Sequence, residues 1–563
     1  MTQQLMIKSK TAAWYLVQTL NQFLYSTLLD NGVWAATACT LTTGQSDPSA
    51  GTQAYTMTAT GTNATLLQSV VLQSGVLNRC YSAYIKRKTG TGQISITADG
   101  STYENITITA SWVRYDTAIA ASGTVTPGIK LATSGDEVYI AWFQVEDGLL
   151  PTTYAVNAGN RYTITQITDA DYPANTCRGV AFLDGRFFVM SIAGEIYQSD
   201  LENAASWSAL GFIQSQSDPT NGVFIGKLAS YIVAFKESSI EFFYDAANPT
   251  ASILAPIQNA ALQLGCASGD SVREAGGSLF FMGQTKEGFG RGIFSMSSTT
   301  PKKISPASVD KILNADSLAT VYSWSANVGS HLLYGLTLVT TGVTLVYDVS
   351  SEMWSFFTYL TSSAVTKTVT AVTTSGVVTS AAHGYSDGDI TLIASTNADF
   401  NGWHVVTDVT TNTFQLQATG TVFSGSGTSV KHTETYFPVS ASVRSGGRQY
   451  MQHATSGALY EFSQDIYVDP IGAIAARIRT PKIDGETAKH KTMSSAELIG
   501  DKVSSTAVMR YSDNDYSTYS SFRPVDLSVT RSRIRRLGDF NRRAFEILHV
   551  KNALLRLEAL EIE

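Results

Sequence analysis

Six arginines, Arg531, Arg533, Arg535, Arg536, Arg542 and Arg543, crowd the last forty residues or so of the chain and are its densest cationic cluster. A guanidinium presents a rigid fork of donors that matches a carboxylate or a phosphate. The cluster is therefore read first as a subunit-interface contact with acidic faces of neighbouring copies. A solvated or intradomain role comes next, and a grip on DNA phosphates last. Six phosphate contacts would make binding steeply salt-dependent. A second group, Trp112, Tyr139 and Trp142, could stack on sugar rings or dock a fibre, although a tryptophan in an alternating strand is more often core. His383 and His404 lack HExxH or paired spacing and are read as structural. The run Gly288-Phe289-Gly290-Arg291-Gly292 has no helix after it and reads as a hairpin turn, not a phosphate loop. No pair of carboxylates or nucleophile–base spacing can be assigned. The expectation is a protein that is not an enzyme, with no catalytic, cofactor-binding or metal residue and no cofactor.

The elements that would hold these residues are strands. The chain has 563 residues, of which 44% are hydrophobic, only 15% are charged and 44 are glycine, a balance that suits all-β architecture with many turns. Its net charge of −7 argues against general polyanion binding. Cys39, Cys80, Cys177 and Cys266 are scattered and read as free, mostly buried thiols. No apolar run of about 18 residues implies a membrane span. The first residues, Met1 to Lys8, lack a signal-peptide core, so synthesis in a cytoplasm is expected.

A two-strand phrase recurs through the middle of the chain, starting at Gly185, Ser230, Gly277, Ser330 and Gly447. The gaps are 45, 47, 53 and 117 residues. A period of 40–50 residues with several strands per unit is the signature of a β-propeller. The long gap holds a Thr/Val/Ser/Gly-rich segment, 364–432, and setting its 69 residues aside restores a gap of 48. A small domain inserted in a blade loop is expected, since loops tolerate long additions. Before the repeats, alternating runs such as Tyr81–Arg87, Gln93–Thr97 and Val138–Phe143 predict a two-sheet sandwich. Trp14, Val17, Leu20, Phe23, Leu24 and Leu28 are partly at helical spacing and predict a short helix within 9–29.

The expected fold is thus all-β: a β-propeller core, an N-terminal jelly-roll sandwich and a small β-barrel inserted in a blade loop. The boundaries are an N-terminal segment 1–19, the sandwich 20–155, propeller 156–363, insert 364–432, propeller 433–480 and a basic β region 481–563 that closes the propeller or contacts neighbours. Five copies of the phrase leave a final blade to be completed from elsewhere, after Thr480 or near the N-terminus.

Several fragments carry resemblances. The order Leu20–Phe23, Ala83–Arg87, Trp112–Tyr115, Val145–Gly148 and Pro151–Tyr154 resembles a jelly-roll module of phage structural proteins, related in shape to carbohydrate-binding modules. Phe400-Asn401-Gly402-Trp403-His404 and its surroundings are similar to a small β-barrel module that recurs in phage structural proteins and resembles an insert of ubiquitin-activating enzymes. Asp99-Gly100-Ser101-Thr102-Tyr103 and Ser512 to Tyr519 resemble the Asp-box turns of sialidases, where the aspartate stabilises a hairpin. Gln166-Ile167-Thr168-Asp169, Ser206-Trp207-Ser208, Leu264-Gly265-Cys266-Ala267, Val346-Tyr347-Asp348 and Arg533-Ile534-Arg535-Arg536-Leu537-Gly538 together look like the packaged-DNA stabilisation proteins of short-tailed (podovirus) bacteriophages, over about 160–360 and again in 433–563. That resemblance implies a tail hub or nozzle subunit in the virion. Its implied partners are itself (a ring, six copies by resemblance), portal-adaptor proteins, tail fibre or spike proteins, and genomic double-stranded DNA sliding without sequence preference. The alternative is a receptor-binding or glycan-degrading tailspike. An isolated host interaction hub would leave two phage-type modules unexplained.

Overall fold

The computed structural model describes residues 6–8, 12–18, 21–71, 77–121, 123–157, 159, 162–286, 290–395, 397–470 and 472–563. It divides into two compact units, Met1–Thr176 with Asp184–Phe188 and Tyr197–Phe212, and Cys177–Leu183 with Val189–Ile196 and Ile213–Glu563.

The first unit is built on two five-stranded antiparallel sheets. One runs Glu104–Ile106, Ile94–Thr97, Gly128–Leu131, Ala64–Gln68, Trp34–Thr37, and the other Val113–Ala121, Leu77–Thr89, Glu137–Asp147, Ala54–Ala59, Cys39–Gln45. Their inward side chains alternate with outward ones, as strand geometry requires, and share one core that includes Phe23, Trp34, Ile85, Ile96, Ile140 and Phe143. Four aromatic rings meet there, with Trp34 and Tyr81 edge-on to Phe143 at 5.3 and 5.8 Å and Phe23 tilted against Trp34 at 4.8 Å. Asn21 pins the chain over this core: its amide nitrogen donates to the carbonyls of Phe143 and Ala155, and its oxygen accepts from the N–H groups of Phe23 and Val145.

Among the described residues of 9–29 the expected helix does not form. Ala13–Gln18 is a strand, paired antiparallel with Met6–Lys8 and with Tyr162–Gln166, so that Trp14 lies opposite Ile7 and Gln166. Aromatic and β-branched residues fit a pleated surface, and cross-strand pairing overrides a weak helical period. Of that set, Leu20 lies outside the described residues.

The repeated phrase folds as blades. The first copy lies in a four-stranded sheet of Ala181–Leu183, Arg186–Met190, Glu195–Asp200 and Asn203–Gln214, in chain order. The second comprises Gly222–Leu228, Tyr231–Lys236, Ile240–Asp245 and Leu254–Pro256. The third uses Ser278–Gln284, Arg291–Met296 and Lys302–Lys303, with Gly265–Cys266 and Arg273–Ala275 both on the other edge of its first strand. The fourth is Val321–Val328, His331–Leu338, Val343–Asp348 and the start of Met353–Val372. These meanders are the blades of a β-propeller, and one blade's apolar face covers the next. Phe235 meets Phe281 at 5.1 Å between the second and third, and Phe280 stacks on Tyr334 at 5.2 Å between the third and fourth. In the fourth, Gly335 lets the Trp324 ring approach, since a Cβ there would come within 2.1 Å of it. Among the described residues the one α-helix, Ala307–Ala315, buries Val309 and Leu313, and Arg291 caps its C-terminal end by donating to the carbonyls of Leu313 and Asp316. The hairpin expected at Gly288–Gly292 joins paired strands, with Gln284 opposite Arg291; Gly288 and Phe289 themselves lie outside the described residues.

The fifth copy forms a three-stranded sheet, Val439–Ser445, Arg448–His453 and Leu459–Phe462. Among the described residues no strand after Thr480 pairs with this sheet. Together with Ala476–Arg479 those strands pair among themselves, as a sheet of Ala476–Arg479, Ala544–His549, Thr506–Ser512, Arg523–Asp526 and another of Ser532–Phe540, Lys491–Gly500, Leu557–Ile562. Their common core includes Met493, Met509, Ile534, Phe540 and Phe545. An apolar face that pairs with its own neighbours in sequence avoids a long loop closure.

The segment between the fourth and fifth blades continues directly from a blade strand. Met353–Val372 first pairs with Val343–Asp348 as the outer blade strand, then with Phe423–Tyr436 from Thr358–Tyr436 to Val372–Phe423. Val377–Thr379, Ile390–Ala394, Gly402–Val405 and Thr413–Gln415 complete a small β-structure on that ribbon, with a core of Val369, Val378, Phe400, Phe414 and Phe423. A second cluster joins it to the C-terminal sheets through Leu360, Ile390 and Val405 against Val508, Phe522 and Leu548. No helix among the described residues is long and apolar enough to cross a membrane.

Candidate functional site

The structure separates the six arginines by environment. Arg543 is only 1% exposed and forks onto Asp513, Nε to Oδ1 at 2.7 Å and Nη2 to Oδ2 at 2.8 Å. Its Nη1 donates to the Leu537 carbonyl, and the guanidinium lies 4.0 Å from the Tyr511 ring centre and 4.5 Å from that of Phe540. Arg543 is thus an internal strut, satisfied within its own fold. Arg531, on the surface, pairs with Glu497 at 2.7 Å. Arg542 is exposed; the nearby Asp515 is ion-paired to Lys482, whose bond chiefly lowers its pKa, with Arg542 adding a smaller effect. Arg535 and Arg536 are exposed, Arg533 is half-buried, and among the described residues none of the three has an ion pair. They lie on Ser532–Phe540, an edge strand that bulges where Met493 and Ser495 of its partner lose register. Arg536 sits at φ +57° in that bulge, and Arg523 ties the backbone by donating to the Arg535 carbonyl. Among the described residues the basic run therefore resolves into one buried strut, one ion-paired surface cation, Arg531, and the cations of Arg542 and of the short strand, which have no ion pair.

Of the aromatic group, Trp112 and Tyr139 are drawn together on the sheet Val113–Ala121, Leu77–Thr89, Glu137–Asp147, and Trp142 packs separately. Tyr139 lies opposite Lys86, and Trp112, immediately before the strand Val113–Ala121, has its ring centre 6.4 Å from that of Tyr139. The Lys86 ammonium stands 5.0 Å over the Trp112 ring and 4.8 Å over Tyr139, so a cation already occupies that niche. Trp142 sits at φ +55° where the strand loses register between Ala141 and Gln144. Its ring stacks flat on Tyr154 at 5.4 Å and is edge-on to Tyr84 at 5.3 Å, so one of its faces is spent inside the fold.

The other motifs are structural in different ways. Asp99 accepts from the N–H groups of Ser101 and Thr102 at 2.8 and 2.7 Å, and from both hydroxyls. Burial pulls its carboxyl upward, but these bonds outweigh that and hold it well below the usual carboxylate range. In the second Asp-box-like turn the aspartate is diverted: Asp513 holds Arg543, while Ser512 Oγ and Asn514 Oδ1 accept from Tyr516 and Thr518 N–H. His404 is buried, with its Nε2 at the Phe400 carbonyl and Nδ1 near the Lys551 ammonium; burial first, and Lys551 second, push its pKa down to about 3. His383 Nδ1 accepts from the Tyr385 N–H. Cys80, Cys177 and Cys266 are buried, and burial pushes the thiols of Cys80 and Cys266 up to about 12.

Two features had no signal in the sequence. Glu546, fully buried on Ala544–His549, gathers Arg477, Arg479 and Arg510 from neighbouring strands. Asp469 lies in the wall of an aromatic pocket beside the fifth blade. Neither could be read from spacing, because the residues that define them are tens of positions apart in the chain.

A family model described as Bacteriophage P22 Gp10, beta-propeller, matches residues 109–383. That stretch is just under half of the chain; it takes in the first four blade sheets and ends among the inserted strands, and it does not extend to 433–563. The match supports the resemblance to phage DNA-stabilisation proteins, and with it a structural role in a phage particle. No curated protein matches the chain. Among solved structures, the CBM22-1 xylan-binding domain from Paenibacillus barcinonensis Xyn10C is 15% identical, covering 22% of this chain and 89% of that one, with a TM-score of 0.18. BamB from Moraxella catarrhalis is 10% identical over 51% and 83% of the two chains, TM-score 0.20. The computationally designed Ika8 protein is 13% identical over 68% and 96%, TM-score 0.25. At such scores these likenesses carry no argument.

Proposed function

We propose that this chain is a structural subunit of a bacteriophage tail: copies of it form a nozzle or hub ring below the portal and its adaptor, retain packaged DNA and line its exit. The observation that carries the reading is the run of blade sheets matched by the phage family model over residues 109–383. The physics of the fold is compatible with it. Blades whose aromatic faces interlock make a rigid body suited to lateral contacts in a ring. A chain of net charge −7 repels a polyanion weakly, so a genome would slide along it without sticking. The Arg543 strut lies inside the fold, while Arg533, Arg535, Arg536 and Arg542 remain without an ion pair among the described residues and are available to a neighbouring copy.

Mass photometry of the purified chain, followed by symmetry analysis of negatively stained particles, tests this. The expected result is a closed ring of several copies, six by the resemblance, that binds DNA weakly and loses that binding at modest salt. A trimer with a fibrous stalk, or release of sugars from host surface polysaccharide, would instead support a tailspike and overturn the proposal.

A further inference from the structure

The fifth blade differs from the four before it. Each of those sheets has an outer strand after the repeated pair, whereas Leu459–Phe462 pairs with Arg448–His453 on one side and, among the described residues, with nothing on the other. Leu459 is 61% exposed on this edge, and Ile466 just after it is 51% exposed. An open strand edge is a template for another chain. Beside it lies a pocket of about 360 Å³ walled by Tyr359, Phe437, Met451, Tyr460, Phe462 and Asp469, among others. Among the described residues the Asp469 carboxylate has neither a hydrogen bond nor an ion pair, although Asp469 is only partly exposed. An unpaired carboxylate in a wall of aromatic rings is poorly matched to a neutral occupant. It is well matched to a planar cation, which can stack on the rings and bond the carboxylate with its fork.

We infer that this pocket receives an arginine side chain from the Arg533–Arg536 strand of a second copy of the chain. The choice of occupant rests on charge complementarity within the chain itself. Arg535 and Arg536 are exposed on an edge strand with no acidic partner, and Asp469 is an acid beside another open edge with no basic one. The two patches are different surfaces, so the contact is head-to-tail, the kind that closes into rings. Burial pushes the Asp469 carboxyl up to about 6, a cost that an incoming guanidinium would relieve. The inference rests on the proposed ring.

The test is a double-mutant cycle on self-association of the full chain, read by sedimentation velocity across a concentration series. Asp469→Asn is expected to weaken association at least tenfold, as is Arg535→Gln with Arg536→Gln. The three substitutions together should be no worse than either set alone, because both remove the same contact. Millimolar agmatine, a guanidinium on a short chain, should dissociate the wild type, and N-butylurea, a neutral mimic, should not. Additive losses, an Asp469→Asn chain that associates like wild type, or equal effects of agmatine and N-butylurea would overturn the inference while leaving the ring intact. A wild-type chain that stays single at every concentration would instead overturn the ring and this contact with it. If Asp469→Asn misfolds, judged by circular dichroism, the agmatine comparison on wild type still decides.

Discussion

Replacing Glu546 by Gln should loosen the C-terminal sheets by about 3 kcal/mol. Glu546 is fully buried and holds Arg477 at 3.0 Å and Arg479 at 2.8 Å through one oxygen, and Arg510 through the other. Glu434 adds a second acid to Arg477 at 2.9 Å, so three guanidiniums share two carboxylates. Glutamine keeps the shape and removes the charge, leaving three cations with one acid. Removing one member of a buried ion pair typically costs about 3–5 kcal/mol, because the remaining charge is left uncompensated. The side chains of Arg477 and Arg479 are 25% and 53% exposed, so water relieves part of the penalty and the lower end applies. Hydrogen exchange of the full chain reads this locally: amides of Ala544–His549 and its paired strands should exchange about a hundredfold faster at pH 7. Burial raises the Glu546 pKa, but the bonds from Arg479 and Arg477 and the charge of Arg510 outweigh it, so the folded pKa lies below the unfolded one. The stabilisation is therefore complete above the unfolded pKa of about 4.3 and is lost as pH falls through the folded value. The gap between wild type and variant should close in that acidic window. Glu352→Gln, which breaks the exposed pair with Lys302, should cost less than about 1 kcal/mol. Exchange within twofold of wild type for Glu546→Gln at pH 7 would refute the reasoning.

Other perturbations separate the remaining structural claims. Phe281→Ala empties a fully buried site packed by Phe235 and Phe294 and should cost about 3–5 kcal/mol, lowering the blade transition in calorimetry. Asp99→Ala removes the acceptor for five donors and should cost about 1–2 kcal/mol, seen as faster exchange over Ile94–Thr97; Asp99→Asn should recover part of it. Replacing the chain between Ser362 and His432, which face each other across the ribbon, by Asn-Gly should leave the fourth blade protected from exchange. The same deletion should uncover Val508, Phe522 and Leu548 and increase binding of an apolar dye. An unchanged dye signal would show that the insert is not a cover for the C-terminal sheets.

Strand alternation and the repeated phrase were legible in the sequence because they are local. A two-residue side-chain period and a turn every few residues need no distant partner to be recognised. The same locality misled at 13–18, where a partly helical spacing of apolar residues gave way to pairing with Tyr162–Gln166, almost 150 positions along the chain. It also hid how the insert leaves the blade, since one unbroken strand, Met353–Val372, belongs to both.

What the sequence determined by itself is the all-β propeller character and the basic run near its end. What each arginine does was decided only by tertiary structure. Arg542 and Arg543 are neighbours in the chain, yet one faces solvent and the other is sealed against Asp513, Tyr511 and Phe540. Arg543 is fixed by a backbone bridge to Ile483, and its partners Asp513 and Tyr511 come from thirty or more positions away. The Glu546 hub and the unpaired Asp469 have the same origin. A charge acquires its meaning from what surrounds it, and folding chooses those surroundings from remote parts of the chain.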